Sequence, residues 1–264
     1  MKNVDVLDLT DVIKDSRFVI VGDIHGTFEE FIQLLALLKF NIETDYLLCV
    51  GDLVDRGLFS HFVANWFRGN PKAYSTCGNH DNRFLRYLLG NPVKISHGLS
   101  KTIEQFDFTS HEDSGEYKEE VLKYFEQLPY IIKVKDNFIV HAGFNPERDA
   151  YHQTKQDCLF MRYYGGKDYF DNKDGKYWFE FYPENSPNVF FGHEVFLDKV
   201  KVRSNVYAMD GGCVFGGELR AYDSRDGQIH SVKAKEVYSG KLIADKGELL
   251  KGSEKSYKES EKFT

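Results

Sequence analysis

YLLCVGDLVDRG, residues 46–57, decides how the rest of the chain is read. Leu47, Leu48, Cys49 and Val50 make a continuous apolar run of the length of a fully buried strand, and Gly51 lets the chain turn sharply after it. Asp52 is thereby placed at the carboxyl end of a strand, the edge at which open α/β sheets bind ligands. Asp55 and Arg56 follow in the same short loop, so carboxylate and guanidinium stand together as a site for metal and phosphate would require. Alone, the stretch would also fit an ordinary turn with a solvated ion pair. Its neighbours decide otherwise.

Residues 18–21 form a second short apolar strand, which runs into Gly22, Asp23, Ile24, His25 and Gly26; a third, 73–77, runs into Gly78, Asn79, His80 and Asp81. After the first of these loops a helix is predicted, with Thr27 and Glu30 spaced as a capping box and Phe31, Leu34, Leu35 and Leu38 at helical intervals. A short helix is expected over 60–67. Strand, polar loop, helix is thus a repeating unit, and three strands deliver polar residues at the same kind of position. From 81 to 127 the pattern is mostly helical, broken at Gly90, Pro92 and Gly98 and ended by Pro129. Residues 130–134 and 138–141 read as a hairpin turning at Asp136 and Asn137, and the second of its strands ends on His141.

Between 144 and 187 the chain is loop-like and dense in aromatics, the pattern of a lid or binding loop. Its Tyr- and Phe-rich part, 163–182, is either packing or a stacking wall, and we favour the wall. Residues 189–192 restore a strand that ends on His193. Four further strands, 199–202, 206–209, 218–222 and 229–232, are expected to make a second, largely antiparallel sheet. Residues 1–243 are read as one domain and 244–264, rich in Lys, Glu and Ser, as a disordered tail.

Of the 264 residues, 42% are hydrophobic and 28% charged, an ordinary globular balance. The net charge of -7 argues against non-specific binding to duplex nucleic acid. Cysteines at 49, 77, 158 and 213 form no CxxC pair, which excludes a zinc ribbon or thioredoxin-type motif and fits a reducing cytoplasm. No run of about 18 apolar residues is present, and a membrane partner is not expected.

Collected from the strand ends, the polar set is Asp23, His25, Asp52, Asn79, His141 and His193, with Asp55, Arg56 and His80 beside it. Carboxylate, imidazole and amide oxygen together suit manganese, iron, zinc or magnesium, and the absence of thiolates argues against a soft-metal site. One carboxylate placed to bridge would let such a set hold two ions, the clamp used for in-line phosphoryl transfer. His61, His111, His152 and His230 have no comparable pattern, and His97 is read as structural.

GDIHG at 22–26, GDLVDRG at 51–57 and GNHD at 78–81, followed by VHAG at 140–143 and FGHE at 191–194, resemble in order and spacing the signatures of the phosphoprotein phosphatase family of calcineurin-like metallophosphoesterases. The resemblance runs from about Phe18 to about Val237. It implies an α/β fold in which two mixed β-sheets form a sandwich flanked by helices, with two divalent metal ions, manganese foremost and iron, zinc, nickel or magnesium as alternatives. By motif position it implies Asp23 and His25 on one ion, Asp52 as the bridge, and Asn79, His141 and His193 on the other. It further implies His80, paired with Asp55, as general acid, and Arg56 and Arg162 as holders of phosphate oxygens.

Asp81 and Glu194 depart from the eukaryotic form, in which Glu and Thr are usual at those places. Residues 78–91, 96–106 and 209–222 most resemble the bacterial and phage branch: the phosphatase module of polynucleotide kinase-phosphatases and the diadenosine tetraphosphatases. The implied activity is hydrolysis of phosphomonoesters by a metal-activated hydroxide, with phosphorylated protein, nucleotide or nucleic-acid ends as substrates. Diadenosine tetraphosphate hydrolysis and 2′,3′-cyclic nucleotide phosphodiesterase activity are the alternatives. A non-enzymatic binding module fits poorly with a complete set of ligands and an intact acid.

Overall fold

Short strands that are apolar on both faces must be covered on both sides, and the way this chain covers them sets its layers. The computed structural model describes residues 4–108, 114–165 and 175–239; the expected tail at 244–264 and His111 lie outside them. Strand β1 (Val6–Asp8) and helix α1 (Thr10–Ile13) precede β2 (Phe18–Val21), all four of whose residues are buried. Helix α2 (Phe28–Leu37) then packs on Phe31, Leu34 and Leu35. The unit repeats through β3 (Tyr46–Cys49), α3 (Ser60–Gly69), β4 (Ala73–Ser75) and α4 (Asn79–Leu88), which leaves β2, β3 and β4 parallel and adjacent.

The capping box expected at the start of α2 does not form. Thr27 Oγ1 instead donates to the Ile24 carbonyl at 2.6 Å, and the fully buried Glu30 accepts from the Lys235 amide at 2.9 Å and the Tyr238 hydroxyl at 2.6 Å. A distant segment takes the carboxylate that local spacing assigned to the cap.

Helices α5 (Leu99–Phe106) and α6 (Ser114–Glu126) extend the helical layer, and β5 (Ile131–Val134) with β6 (Asn137–Val140) forms the expected hairpin. The segment expected as loop contains helix α7 (Lys155–Phe160), whose start is closed by Thr154 and Asp157 bonding reciprocally. A ribbon of β7 (Tyr163–Tyr164) and β8 (Lys176–Tyr177) follows. Residues 166–174 of the aromatic stretch lie outside the described part; within that part Trp178 and Phe179 are buried as core, Tyr163, Tyr164, Tyr177 and Tyr182 are half-buried, and Phe181 is exposed.

The chain ends with β9 (Asn188–Phe191), β10 (Lys201–Arg203), β11 (Val206–Ala208), β12 (Glu218–Asp223) and β13 (Gln228–Lys233). The strands form a six-stranded sheet, ordered β1-β5-β6-β9-β11-β10, and a five-stranded sheet, ordered β13-β12-β2-β3-β4. The last four strands therefore do not make a sheet of their own. β10 and β11 complete the six-stranded sheet, whereas β12 lies antiparallel to β2 and β13 closes that edge. Alternation within a strand specifies its two faces but not which open edge it joins.

Ile20, Leu48 and Val50 from the five-stranded sheet meet Ile139, Phe190 and Met209 from the other in the core between the sheets. The alternate residues, Val19, Val21, Leu47 and Cys49, face α2, α3 and the other helices. On the far side Phe138, Val140, Val189 and Phe191 pack against Trp178 and Phe179. Among the described residues no helix is long and apolar enough to cross a membrane.

Phe190 is fully buried between the sheets, with Tyr207 stacked 4.6 Å away and Tyr222 at 4.8 Å. Phe190→Ala is expected to lower the unfolding free energy by about 3–5 kcal/mol in a denaturant titration. Leu37→Ala, at a side chain 54% exposed, should change it by about 0.5 kcal/mol or less. Similar losses from both would show that the inter-sheet layer is not the core that holds the sandwich.

Candidate metal centre

Each sheet contains three parallel strands, β2, β3 and β4 in one and β6, β9 and β11 in the other, and all six end at one place. Asp23 and His25 follow β2, Asp52 follows β3, and Asn79 opens α4 after β4. His141 follows β6, His193 follows β9 and Asp210 follows β11. The polar residues expected at strand ends are brought together across the two sheets. His141 Nε2 lies 2.9 Å from Asn79 Oδ1 and 3.5 Å from Asp52 Oδ2; His193 Nδ1 lies 2.9 Å from Asn79 Oδ1, and its amide donates to Asp23 Oδ2 at 3.1 Å. Side chains of Asp23, Asp52 and His141 form one triad with ligand atoms close enough for a single ion, and those of His25, Asp52 and His80 form another. Asp52 is common to both.

The donor chemistry fits cations. His25 Nδ1 is 2.8 Å from the Val54 carbonyl and His141 Nδ1 is 3.2 Å from the Val50 carbonyl. A carbonyl only accepts, so each Nδ1 carries the proton and each neutral ring turns the Nε2 lone pair inward. Both lone pairs face Asp52 Oδ2, at 3.3 Å from His25 and 3.5 Å from His141, and that of His25 also accepts from the Arg56 guanidinium. Acceptors facing one another without a hydrogen between them are stable around positive charge. Burial, reinforced by the neighbouring carboxylates of Asp210 and Asp52, holds the Asp23 carboxyl well above the usual range, and burial pushes Asp52 up to about 7 against the pull of Arg56. Burial is also the main cause that lowers the imidazoles of His25, His80, His141 and His193, with Arg56 adding to each; His141 falls to about 3. A third carboxylate and imidazole group, Asp223, Asp226 and His230, lies on the β12–β13 hairpin, where Arg17 and Arg225 already neutralise Asp223.

His80 and Asp55 pair as expected, Nδ1 to Oδ2 at 2.6 Å. The sequence reading missed what surrounds them. Arg83 Nη2 reaches the same Asp55 oxygen at 2.5 Å, and Thr102 Oγ1 donates to the other at 2.7 Å. Arg83 lies one helical turn past His80 on the same face of α4, a spacing that by itself does not separate it from a solvated arginine. Asp81, noted as a departure, accepts from the amides of Gly78, Leu53 and Val54 and ties the β3 loop to the start of α4. Asp210 was also missed, although Gly211 and Gly212 after a strand repeat the signal seen at the other ends. Arg56 Nη1 donates to His25 Nε2 at 2.6 Å, and its guanidinium lies 5.0 Å from the centre of the Phe215 ring. Arg162 pairs with Glu194 at 2.7 Å, and its charge helps to depress His141 and His193. His97 is exposed on the loop beside Arg56.

The backbone is bent to make these contacts. His25, Asp52, Asp55, Arg56 and His193 all have positive φ, between 47° and 74°. Such conformations cost about 1–3 kcal/mol each and persist where the surroundings over-determine them. Two glycines make room: a Cβ on Gly78 would lie 2.1 Å from Asp52 Oδ1, and one on Gly192 would lie 1.8 Å from Asp23 Oδ1.

Comparison with known proteins agrees with this geometry. The family described as calcineurin-like phosphoesterase matches residues 16–221. The asymmetrical bis(5′-nucleosyl)-tetraphosphatase PrpE of Bacillus subtilis is 30% identical over 77% of this chain and 88% of its own length; that of Oceanobacillus iheyensis is 30% identical over 86% and 96%. A crystal structure described as a candidate diadenosine tetraphosphatase superposes with a TM-score of 0.71 at 30% identity, covering 88% of this chain and 98% of that one. A serine/threonine phosphatase from Saccharomyces cerevisiae shares the fold, with a TM-score of 0.60 at 16% identity and coverage of 88% and 84%.

Gly78→Ala is expected to displace the Asp52 carboxylate and lower metal affinity by about 10- to 100-fold, the effect of disturbing a group that orients ligands. Metal analysis after dialysis against a graded chelator, with a melting curve as control, measures this. Unchanged metal retention in the folded variant would show that the position of Asp52 is not what holds the ions.

Proposed function

The chain belongs to the calcineurin-like phosphoesterases, and from that premise we propose that this metal-dependent hydrolase cleaves a bis(5′-nucleosyl) tetraphosphate asymmetrically. The observation that carries the reading is the convergence of six strand ends on Asp52, with the His80–Asp55 pair beside it. Of the substrate classes open in the sequence, the dinucleoside polyphosphate is favoured by the names of relatives that this chain matches over 88–96% of their length. The reading takes residues 1–243 as one catalytic domain of bacterial type. Four free, buried cysteines support a reducing, cytoplasmic setting.

Asp23, His25, Asp52, Asn79, His141 and His193 would hold two divalent ions, manganese foremost, which when bound supply charge neutralisation at the phosphoryl oxygens and water acidic enough to attack near neutral pH. The remaining steps fall to the side chains. Arg56 and Arg162 hold the phosphoryl oxygens and orient the phosphorus for in-line displacement, a task suited to a planar guanidinium with paired donors. Asp55 accepts from His80 Nδ1–H and stabilises the imidazolium against the burial that disfavours it; the imidazolium gives its Nε2 proton to the departing oxygen and is left neutral with Nδ1–H still on Asp55. Arg83 and Thr102 hold Asp55 in that orientation.

With manganese added, diadenosine tetraphosphate is expected to be turned over with a kcat/KM at least about tenfold above that for a phosphopeptide, a 3′-phosphorylated oligonucleotide or a 2′,3′-cyclic nucleotide. Equal amounts of ATP and AMP should appear. Preference for a phosphomonoester would reject the substrate and leave the phosphoesterase. His80→Asn should slow hydrolysis of an alkyl phosphate by about 10²–10⁴-fold and of p-nitrophenyl phosphate far less, because nitrophenolate leaves without a proton. Equal losses in a folded, metal-replete variant would remove His80 from the role of acid.

A further inference from the structure

Exposed apolar side chains gather where α2 and α3 begin. Phe28 opens α2; Leu58, Phe59 and Phe62 lie at the start of α3. Phe62 is 48% exposed and Leu58 43%, while Phe28 and Phe59 are half-buried. The Phe62 ring lies 5.5 Å from that of Phe28 and 5.9 Å from that of Phe59. Phe28 packs partly on the core beneath, against Phe31, whereas Leu58, Phe59 and Phe62 stand outside the core that the same helices cover with Phe31, Val63 and Phe67.

Two observations tie the patch to the reaction centre. The Gly57 amide donates to the His25 carbonyl at 2.9 Å and the Phe59 amide to the Gly26 carbonyl at 3.0 Å, so the loops carrying His25 and Arg56 are joined where the patch begins. A chain spans at most about 3.6 Å per residue, which puts the Cα of Leu58 within about 7 Å of that of Arg56 and the Cα of Phe59 within about 11 Å. The charge of the stretch narrows the occupant. Residues 57–67, GLFSHFVANWF, contain no Lys, Arg, Asp or Glu, so the surface suits a flat neutral group attached to a phosphate chain rather than a charged peptide.

We propose that Phe59 and Phe62, with Leu58 and Phe28 beside them, form the face on which one nucleobase of the substrate stacks while its phosphates lie against Arg56. This rests on the reading of the protein as a nucleotide hydrolase and adds to it a subsite for the base. A base offers a π face to any aromatic ring, so such a wall binds purine nucleotides without reading their edges.

The test compares ligands with and without a base. In Phe62→Ala and Phe59→Ala, the KM for diadenosine tetraphosphate and the inhibition constant of AMP should rise about five- to hundredfold, the range for losing one base–aromatic stack. The inhibition constant of inorganic phosphate should stay at the wild-type value, and Phe62→Tyr, which keeps the ring, should restore AMP binding. AMP binding unchanged in both alanine variants overturns the proposal, as does an equal loss for AMP and phosphate, which would mean that the patch only supports Arg56. A change in oligomeric state by light scattering, with AMP binding intact, would make the patch a contact between copies and also overturn it. Failure of the unmutated protein to cleave diadenosine tetraphosphate while it hydrolyses another phosphoester would sink the substrate reading, and the subsite with it, before any variant is made.

Discussion

The structure depends on one carboxylate held where like charge should exclude it. Asp52 is buried beside Asp23 and Asp210; burial raises all three carboxyls, and neighbouring carboxylates raise Asp23 and Asp52 further. Its two oxygens are used differently. Oδ1 accepts from the His80 amide at 2.9 Å, which locks the side chain to the first turn of α4, and Oδ2 faces the imidazoles of His25 and His141 from opposite sheets. The backbone contact fixes where the second oxygen can be. An isolated carboxylate so enclosed would be neutralised by a proton, but a cation on either side reverses the balance and favours the ionised form. Metal binding and the integrity of the centre are therefore coupled.

That coupling explains why so much of the centre is built on strained backbone. Five of its residues adopt left-handed conformations, a concentration that would be costly in a protein of ordinary stability. The cost is offset by the layers on either side. β2, β3, β6 and β9 are anchored by side chains buried on both faces, so their ends are fixed before any loop begins. The loop after β9 is held from a further direction: Arg220, almost wholly buried, donates to the carbonyls of Phe196 and Leu197 at 2.5 and 2.7 Å. His193 thus projects from a support determined by β12, a strand of the other sheet.

Much of this is legible in the sequence, for a physical reason. A strand buried on both faces reads as a short apolar run, and polar residues immediately after it have few places to go except the carboxyl edge. Asp23, His25, Asp52, Asn79, His141 and His193 could all be found that way. Asp210 carries the same signal after 206–209, but a strand already read as part of a separate antiparallel sheet gives no reason to bring its end to this edge. The assignment of β10 to β13 to a single sheet was thus the error that hid Asp210. Arg83 escaped because helical spacing cannot tell a solvated arginine from one turned onto a buried aspartate. Thr27 and Glu30 misled because a capping box is a local pattern, and burial of Glu30 against Lys235 and Tyr238 is a tertiary event.

The same distinction separates the two halves of recognition. Groups proposed to meet phosphate must be placed to fractions of an ångström, and of these Arg56 and the six candidate ligands follow strand ends, whereas Arg162 follows α7. A surface that meets a base needs only a flat apolar face at the right distance, because stacking is broad in angle and tolerant of sequence. The first requirement leaves motifs with fixed spacing. The second leaves only exposed rings near a fixed point, which composition cannot distinguish from core. In this chain the densest aromatic stretch includes Trp178 and Phe179, which became core, while Phe62, in the stretch read only as a short helix over 60–67, packs on Phe59, three residues past Arg56. Proximity to the proposed phosphate site, rather than aromatic content, is what would give an exposed ring its chemical meaning here.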